Sequence, residues 1–373
     1  MTNFSYLGFP VTPSSLNLGE AIITIASMLT VMLIIILGNL LVVFTVYHDR
    51  KLRLQRQNWL IISLALADLF VGLLVMPLTL IYEVVGEWKM GNVLCEIWLA
   101  LDVLFVTASI LHICAISLDR YFSVTSPLTY PAKRTPKRMF IYIGVSWIVS
   151  LLICLPPIFG WRPDRRPGEC AVSNDVGYVL YSSLGSFYIP VIVLVIVYAK
   201  IYSITIKHSR QRLKETERRD HTLNLLSANF SAKQIVEVKL LEENSSGQFK
   251  YDIVNKSGFE PKRIVQSKNE NETIADKRKR KLKAKERQAT LLLGIILSAF
   301  ILSWLPFFVM YVIGAFGYES PAILFKFFFW LGYCNSGINP VIYTVFNREF
   351  KRGLCRQLKK FEHHIQRFMN FYK

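Results

Sequence analysis

Charge stands at two depths inside a stretch that otherwise carries little of it. Residues 95–127 read CEIWLALDVLFVTASILHICAISLDRYFSVTSP, with Asp102 early and Asp119-Arg120 late. As a helix rising about 1.5 Å per residue, the stretch holds Asp102 and Arg120 about 27 Å apart, close to the apolar thickness of a bilayer. Charge at such depth is costly, so each group needs a task. Asp102 lies two turns beyond Cys95 on the same helix face. A carboxylate there, facing a cavity, suits a protonated amine held by a charge-assisted hydrogen bond in a partly desolvated site. The alternative is an ion pair with another helix, but no Lys or Arg stands mid-span at a similar depth.

Three further sets of residues could act with it. Ser182, Ser183 and Ser186 precede Pro190 in YSSLGSFYIP. Ser182 and Ser186 share a helix face, with Ser183 adjacent, so their hydroxyls can meet a phenol or catechol, although serines also pack membrane helices. Ser182 and Ser186 are the better placed. Trp304, Phe307, Phe308 and Tyr311, with Phe329, Trp330 and Tyr333, supply rings for a cage around an ammonium and a small aromatic group; singly, each ring serves equally as core. Asp68 needs polar partners inside a bundle, and Asn39, Ser109, Asn335, Ser336 and Asn339 are the candidates.

The elements that must position these residues are membrane spans. The 373 residues are 52% hydrophobic and 19% charged, with a net charge of +18 and a mean hydropathy of +0.34. Much of the Lys and Arg falls in one polar block, 207–287, so the basic balance reflects the positive-inside rule rather than nucleic-acid binding. Apolar runs at 21–47, 58–82, 93–125, 138–159, 177–206, 288–314 and 322–346 have spanning length and predict an all-α bundle of seven transmembrane helices. Basic residues at Arg50-Lys51, Arg53, Arg56, Lys133-Arg134, Lys137-Arg138, the 207–287 block and Lys351-Arg352 share one side, which is therefore cytoplasmic. The amino terminus is then extracellular, where Asn3 in Asn3-Phe4-Ser5 is a glycosylation sequon. Asn229, Asn244, Asn255 and Asn271 match the sequon on the wrong side and are chance matches.

The chain thus divides into an extracellular segment 1–20, helices one to five over 21–206, a basic third cytoplasmic loop 207–287, helices six and seven over 288–346, and a tail 347–373. The middle of the loop is too polar to bury a core and is expected to be disordered, while Leu213 and Leu282 recur among charges at its ends and extend the flanking helices. In the tail, Phe350, Leu354, Leu358, Phe361, Ile365 and Phe368 recur at helical spacing among basic residues, an amphipathic helix suited to membrane lipids. Cys355 on it is a palmitoylation candidate or an unmodified thiol. The six cysteines show no zinc spacing; only Cys95 and Cys170 fall at extracellular ends, which allows one disulfide and no framework.

Gly38-Asn39, LALAD ending at Asp68, Cys95, Asp119-Arg120-Tyr121, Trp147, WLPFF at 304–308 and NPVIY at 339–343 occur in order on the seven spans. This set resembles the rhodopsin-like G protein-coupled receptors, and Asp102 resembles the carboxylate of their biogenic amine branch. The serine cluster, DRYFSVTSP, AKRTPKR and Phe329 look most like the alpha-adrenergic and invertebrate octopamine receptors.

The resemblance implies a small amine agonist, octopamine first and tyramine or a catecholamine next, and a heterotrimeric G protein, most like the Gi/o class that lowers cAMP. Arrestin and a receptor kinase are implied as further partners. Val103 and Val106 join the ligand pocket, Val106 replacing a residue often Cys in the branch, and Tyr333 bonds Asp102. The Asp68 cluster resembles a sodium site that favours the inactive state; a hydrated polar network without the ion is the alternative. Arg120 is expected to pair at rest with Glu286, Pro306 to allow the sixth helix to swing, and Phe300, Tyr198, Tyr343 and Pro340 to carry the change. Ser303 stands where the family usually has Cys. No other cofactor is expected. A retinal photoreceptor would need a lysine where Tyr333 stands, a transporter would show repeated halves, and no catalytic triad or metal centre can be assembled for an enzyme.

Overall fold

The computed structural model describes residues 18–126, 129–161, 167–173, 175–243, 274–318, 320–346 and 348–371. Asn3 and the sequons at Asn244, Asn255 and Asn271 lie outside the described residues, as do the side chains of Asn229, Leu213, Leu282 and Glu286. In chain order the helices are α1 (Leu18–His48), α2 (Arg50–Arg53), α3 (Gln57–Phe70), α4 (Met76–Val85), α5 (Asn92–Thr125), α6 (Tyr130–Lys133), α7 (Pro136–Cys154), α8 (Pro156–Phe159), α9 (Val176–Ser183), α10 (Ile189–Glu243), α11 (Ile274–Ala315), α12 (Ala322–Phe346) and α13 (Arg348–Phe371). Widened π turns, Val71–Val75 and Leu184–Tyr188, join α3 to α4 and α9 to α10. The seven expected spans are α1, α3–α4, α5, α7, α9–α10, α11 and α12.

Both π turns have the same cause. Pro77 and Pro190 follow them closely, and a proline offers no N–H to the carbonyl one turn back. Inserting a residue relieves the clash and rotates the helix face that follows. Proline also ends the fourth span sooner than the expected 138–159: α7 stops at Cys154, and Pro156-Pro157 restart the chain as the separate turn α8.

Six of the spans are apolar enough along an 18-residue window to qualify as membrane-crossing by composition alone. The seventh, α12, has the length but carries Asn335, Ser336 and Asn339, all buried. Its polarity faces the bundle. Across the spans the buried share of the apolar window is 67% in the second and 56% in the third, against 28% in the first and fourth and 22% in the fifth. The second and third are therefore central. On the outer spans the exposed faces are Leu33, Leu37 and Phe44, and Val145, Ile148 and Leu152, an apolar girdle that only lipid can cover. Where spans one and two meet, Gly72 is required: a β-carbon there would sit 2.9 Å from Ile35 Cγ2.

Residues 1–201 with 288–373 make one compact unit and residues 202–287 another. The second contains the continuation of α10 to Glu243 and the beginning of α11 from Ile274, so both ends of the 207–287 block are helical. In the first, α13 buries Phe350 and Leu354, while Leu358 is exposed at 54%.

Candidate functional site

The Asp102 end of the bundle is lined by groups without internal partners. Asp102 Oδ1 is buried and accepts no hydrogen bond from the described residues. Tyr333, fully buried, sits against that carboxylate and interacts with it, although no bond of full hydrogen-bond geometry closes between them. The expected Tyr333–Asp102 pairing is thus present as a close approach that leaves Asp102 Oδ1 able to accept from a further donor. Buried polar atoms are normally paired, and a pair of orphans on facing helices points to a ligand.

Rings enclose this point. Tyr333 meets Phe329 at 4.8 Å and Trp304 at 6.4 Å between centroids. Phe307 reaches Trp304 at 5.7 Å, Phe329 at 5.6 Å and Tyr311 at 5.8 Å. Phe308 stacks on Phe187 of the fifth span at 4.4 Å, a ring that no motif or spacing singles out. Val106 packs against the cores on both sides of it, and Val103 is half-buried.

On the fifth span the π turn redistributes the serines. Ser182 donates to Val179 O at 3.3 Å and Ser186 to Ser182 O at 2.5 Å, both satisfying carbonyls of their own helix. Ser183, fully buried, has a hydroxyl with no partner. The free donor is therefore the serine ranked behind the other two from helical spacing.

The loop between the fourth and fifth spans closes over this end. Cys170 is disulfide-bonded to Cys95, and its N–H donates to Tyr82 at 3.2 Å. Three residues on, Ser173 O accepts from Tyr311 at 3.2 Å, fastening the loop to the aromatic cage. Beside it, Lys326 of α12 forms an ion pair with Glu83 of α4 at 2.5 Å.

Midway down the bundle Asp68 is fully buried. Ser109 and Ser336 donate to Oδ1, each at 2.9 Å, and Asn339 Nδ2 donates to Oδ2 at 2.8 Å. Asn39 instead donates to Ile35 O and Ser336 O. Asn335 is buried nearby without a hydrogen bond to Asp68 among those described, and Asn339 Oδ1 is buried without a partner. Carboxylate, two hydroxyls and an orphaned amide oxygen form a donor set that suits a hard cation such as sodium.

A second buried network surrounds His112, which no sequence pattern singles out. His112 Nδ1 lies 2.6 Å from Ala108 O, which can only accept, so Nδ1 carries the proton. Nε2 then accepts from Ser63, 2.8 Å away, and Ser63 in turn accepts from Trp147 Nε1 at 3.0 Å. This chain ties spans two, three and four.

At the Arg120 end, Asp119 is gripped from the loop between spans three and four by Arg134 and Tyr130. Tyr121 packs edge-on against Phe122 at 5.5 Å. Phe300 is buried 5.8 Å from Phe187, Tyr343 is buried with an unpartnered hydroxyl, and Tyr198 lies against Gly294. Pro306 and Pro340 sit inside α11 and α12. Ser303 donates back to Ala299 O at 2.8 Å and to Phe300 O at 3.1 Å, in the turn before Pro306. Cys355 is exposed.

A family model, 7 transmembrane receptor (rhodopsin family), matches residues 38–343. The chain belongs to the rhodopsin family of seven-transmembrane receptors, in its biogenic amine branch. It is 38% identical over 355 residues to the Alpha-2A adrenergic receptor of Danio rerio, covering 88% of this chain and 91% of that one. It is 36% identical to Probable G-protein coupled receptor No18 of Amphibalanus amphitrite, covering 92% and 91%, and 36% identical to 5-hydroxytryptamine receptor 1B of Homo sapiens, covering 92% and 88%. Membership makes this a multi-pass receptor of the plasma membrane that answers a small amine and couples to a G protein; it is not an enzyme.

Proposed function

We propose that the receptor recognises a small protonated arylethylamine, octopamine before tyramine or a catecholamine, and signals through Gi/o to lower cAMP. The observation that carries this reading is the orphaned Asp102 oxygen set among Trp304, Phe307, Phe329 and Tyr333. The ammonium pairs with Asp102 inside the ring cage, where desolvation strengthens the contact. A ring hydroxyl meets the fifth-span serines, with the unpartnered Ser183 hydroxyl supporting a place for it beside Ser182 and Ser186. Octopamine offers one phenol and one side-chain hydroxyl. The adrenergic relative favours such a ligand; the serotonin receptor relatives favour a second reading, an indole amine.

In this reading the amino terminus is extracellular and the carboxyl terminus cytoplasmic. Sodium at Asp68 with Ser109, Ser336 and Asn339 stabilises the resting state, and Arg120 becomes available to the G protein as α11 moves about Pro306. Arrestin and a receptor kinase act on the same intracellular face, and Cys355 accepts a palmitoyl chain. A panel of octopamine, tyramine, noradrenaline, dopamine and serotonin on one expressed receptor tests the ligand. Octopamine should be the most potent and should lower cAMP; a serotonin maximum, or a rise in cAMP, overturns the respective part. Asp102→Ala should abolish amine activation while surface expression persists.

A further inference from the structure

The Asp119 carboxylate is almost wholly occupied by a residue from the following loop. It is 1% exposed, and Arg134 forks onto it: Nε donates to Oδ1 at 2.9 Å and Nη2 to Oδ2 at 2.6 Å. Tyr130 adds a third donor to Oδ1 at 2.9 Å. Arg134 is itself held. Its Nη1 donates to Gln57 Oε1 at 2.9 Å, its guanidinium lies over the Tyr130 ring at 5.2 Å, and its carbonyl accepts from Arg56 at 2.6 Å. A two-pronged pair of this geometry, with the arginine side chain only 15% exposed, is the strong form of an ion pair.

Arg120, the next residue along α5, lies within the field of both Asp119 and Arg134. A buried carboxylate stripped of its cation is costly and takes the nearest remaining one. Without Arg134 the cations in range of Asp119 are Arg120 and Arg138; Arg138 is already held over the Phe122 and Tyr130 rings and donates to Tyr142, which leaves Arg120.

We propose that Arg134 is a positioning residue for G protein activation: by occupying Asp119 it prevents that carboxylate from holding Arg120, and so sets how readily Arg120 meets the G protein. Arg134 acts only through Asp119. The rival role, a brace that merely shapes the loop, makes no such demand. The proposal rests on G protein coupling as such and is indifferent to which class couples.

The test measures nucleotide exchange by the full-length receptor, reconstituted with whichever heterotrimer the wild type activates best, in wild type, Arg134→Gln, Asp119→Asn and the double variant. Radioligand binding counts folded receptor in each. R134Q should lower basal and agonist-driven exchange about fivefold or more per folded receptor. In the D119N background, R134Q should change exchange by less than about twofold, because the recruiting charge is already gone. Arg134→Lys should fall between wild type and R134Q. If R134Q fails to fold, Arg134→Lys carries the same comparison with and without Asp119. The proposal is overturned if R134Q leaves exchange unchanged in a folded receptor, or if it lowers exchange by the same factor with and without Asp119.

Discussion

Gly332 lies directly under the Trp304 indole: a β-carbon on Gly332 would fall 2.7 Å from two of the ring's carbons. Trp304 occupies its position in the cage only because the seventh helix has no side chain there.

Gly332→Ala therefore tests how freely the indole can move. Overpacking a fitted core costs about 1–3 kcal/mol. The indole should be displaced toward Phe307, lowering the unfolding temperature of the ligand-free receptor and changing basal signalling in the same variant. Unfolding scans with tryptophan fluorescence, run beside basal cAMP, check both.

Ser183→Ala should weaken a phenolic agonist about tenfold, the value of roughly one hydrogen bond made in a buried site. It should leave phenethylamine, which lacks the ring hydroxyl, unaffected. Ser182→Ala and Ser186→Ala should cost less, since their hydroxyls already satisfy their own helix. Competition binding across the three variants and two ligands measures the difference; equal losses for both ligands would remove the serine from recognition.

Asp68→Asn keeps the size of the side chain and removes the charge that suits a cation. Raising sodium, at constant ionic strength with a bulky cation, should weaken agonist binding to the wild type and leave the variant indifferent. A sodium response retained by the variant would assign the effect elsewhere.

Asp49 caps α2, accepting from Lys51 N at 3.0 Å and Leu52 N at 3.1 Å, and pairs with Arg356 of α13 at 2.7 Å. Burial alone would raise its pKa, but the Arg356 hydrogen bond and charge and the two backbone donors hold the carboxyl below its ordinary value. A depressed folded pKa means that the stabilisation is complete above the unfolded value, about 4, and is lost as pH falls through the folded value. Asp49→Ala should cost about 1 kcal/mol near neutrality, as loss of a cap does. Thermal unfolding of both proteins should show a gap that is flat from about pH 7 to 5 and narrows below about 4.

The architecture was legible because it is written in local runs. Apolar length gave the spans, and motifs such as Asp119-Arg120-Tyr121 and Asn339-Pro340 tied them to a family. What escaped is what only assembly creates. Spacing placed Ser182 and Ser186 together by assuming regular turns, whereas the π turn beneath them leaves Ser183 as the free donor. His112 sits in an apolar run with no neighbour in sequence to explain it; its partners arrive from the second and fourth spans. Arg134 read as one charge of a basic loop until the fold brought it to Asp119.

The ion pair of Lys326 with Glu83 joins residues 243 apart at the outer ends of the second and seventh spans, one helical turn beyond Phe329. Its consequence is kinetic. A bond that bridges two helices near the aromatic cage resists arrival and departure alike, and it is screened as salt rises. Lys326→Gln should shorten the residence time of a bound amine and quicken its association, leaving the equilibrium constant nearly still. Dissociation rates measured at low and high ionic strength should converge in the variant and differ in the wild type, so that the receptor's memory of a pulse of amine depends on the salt outside it.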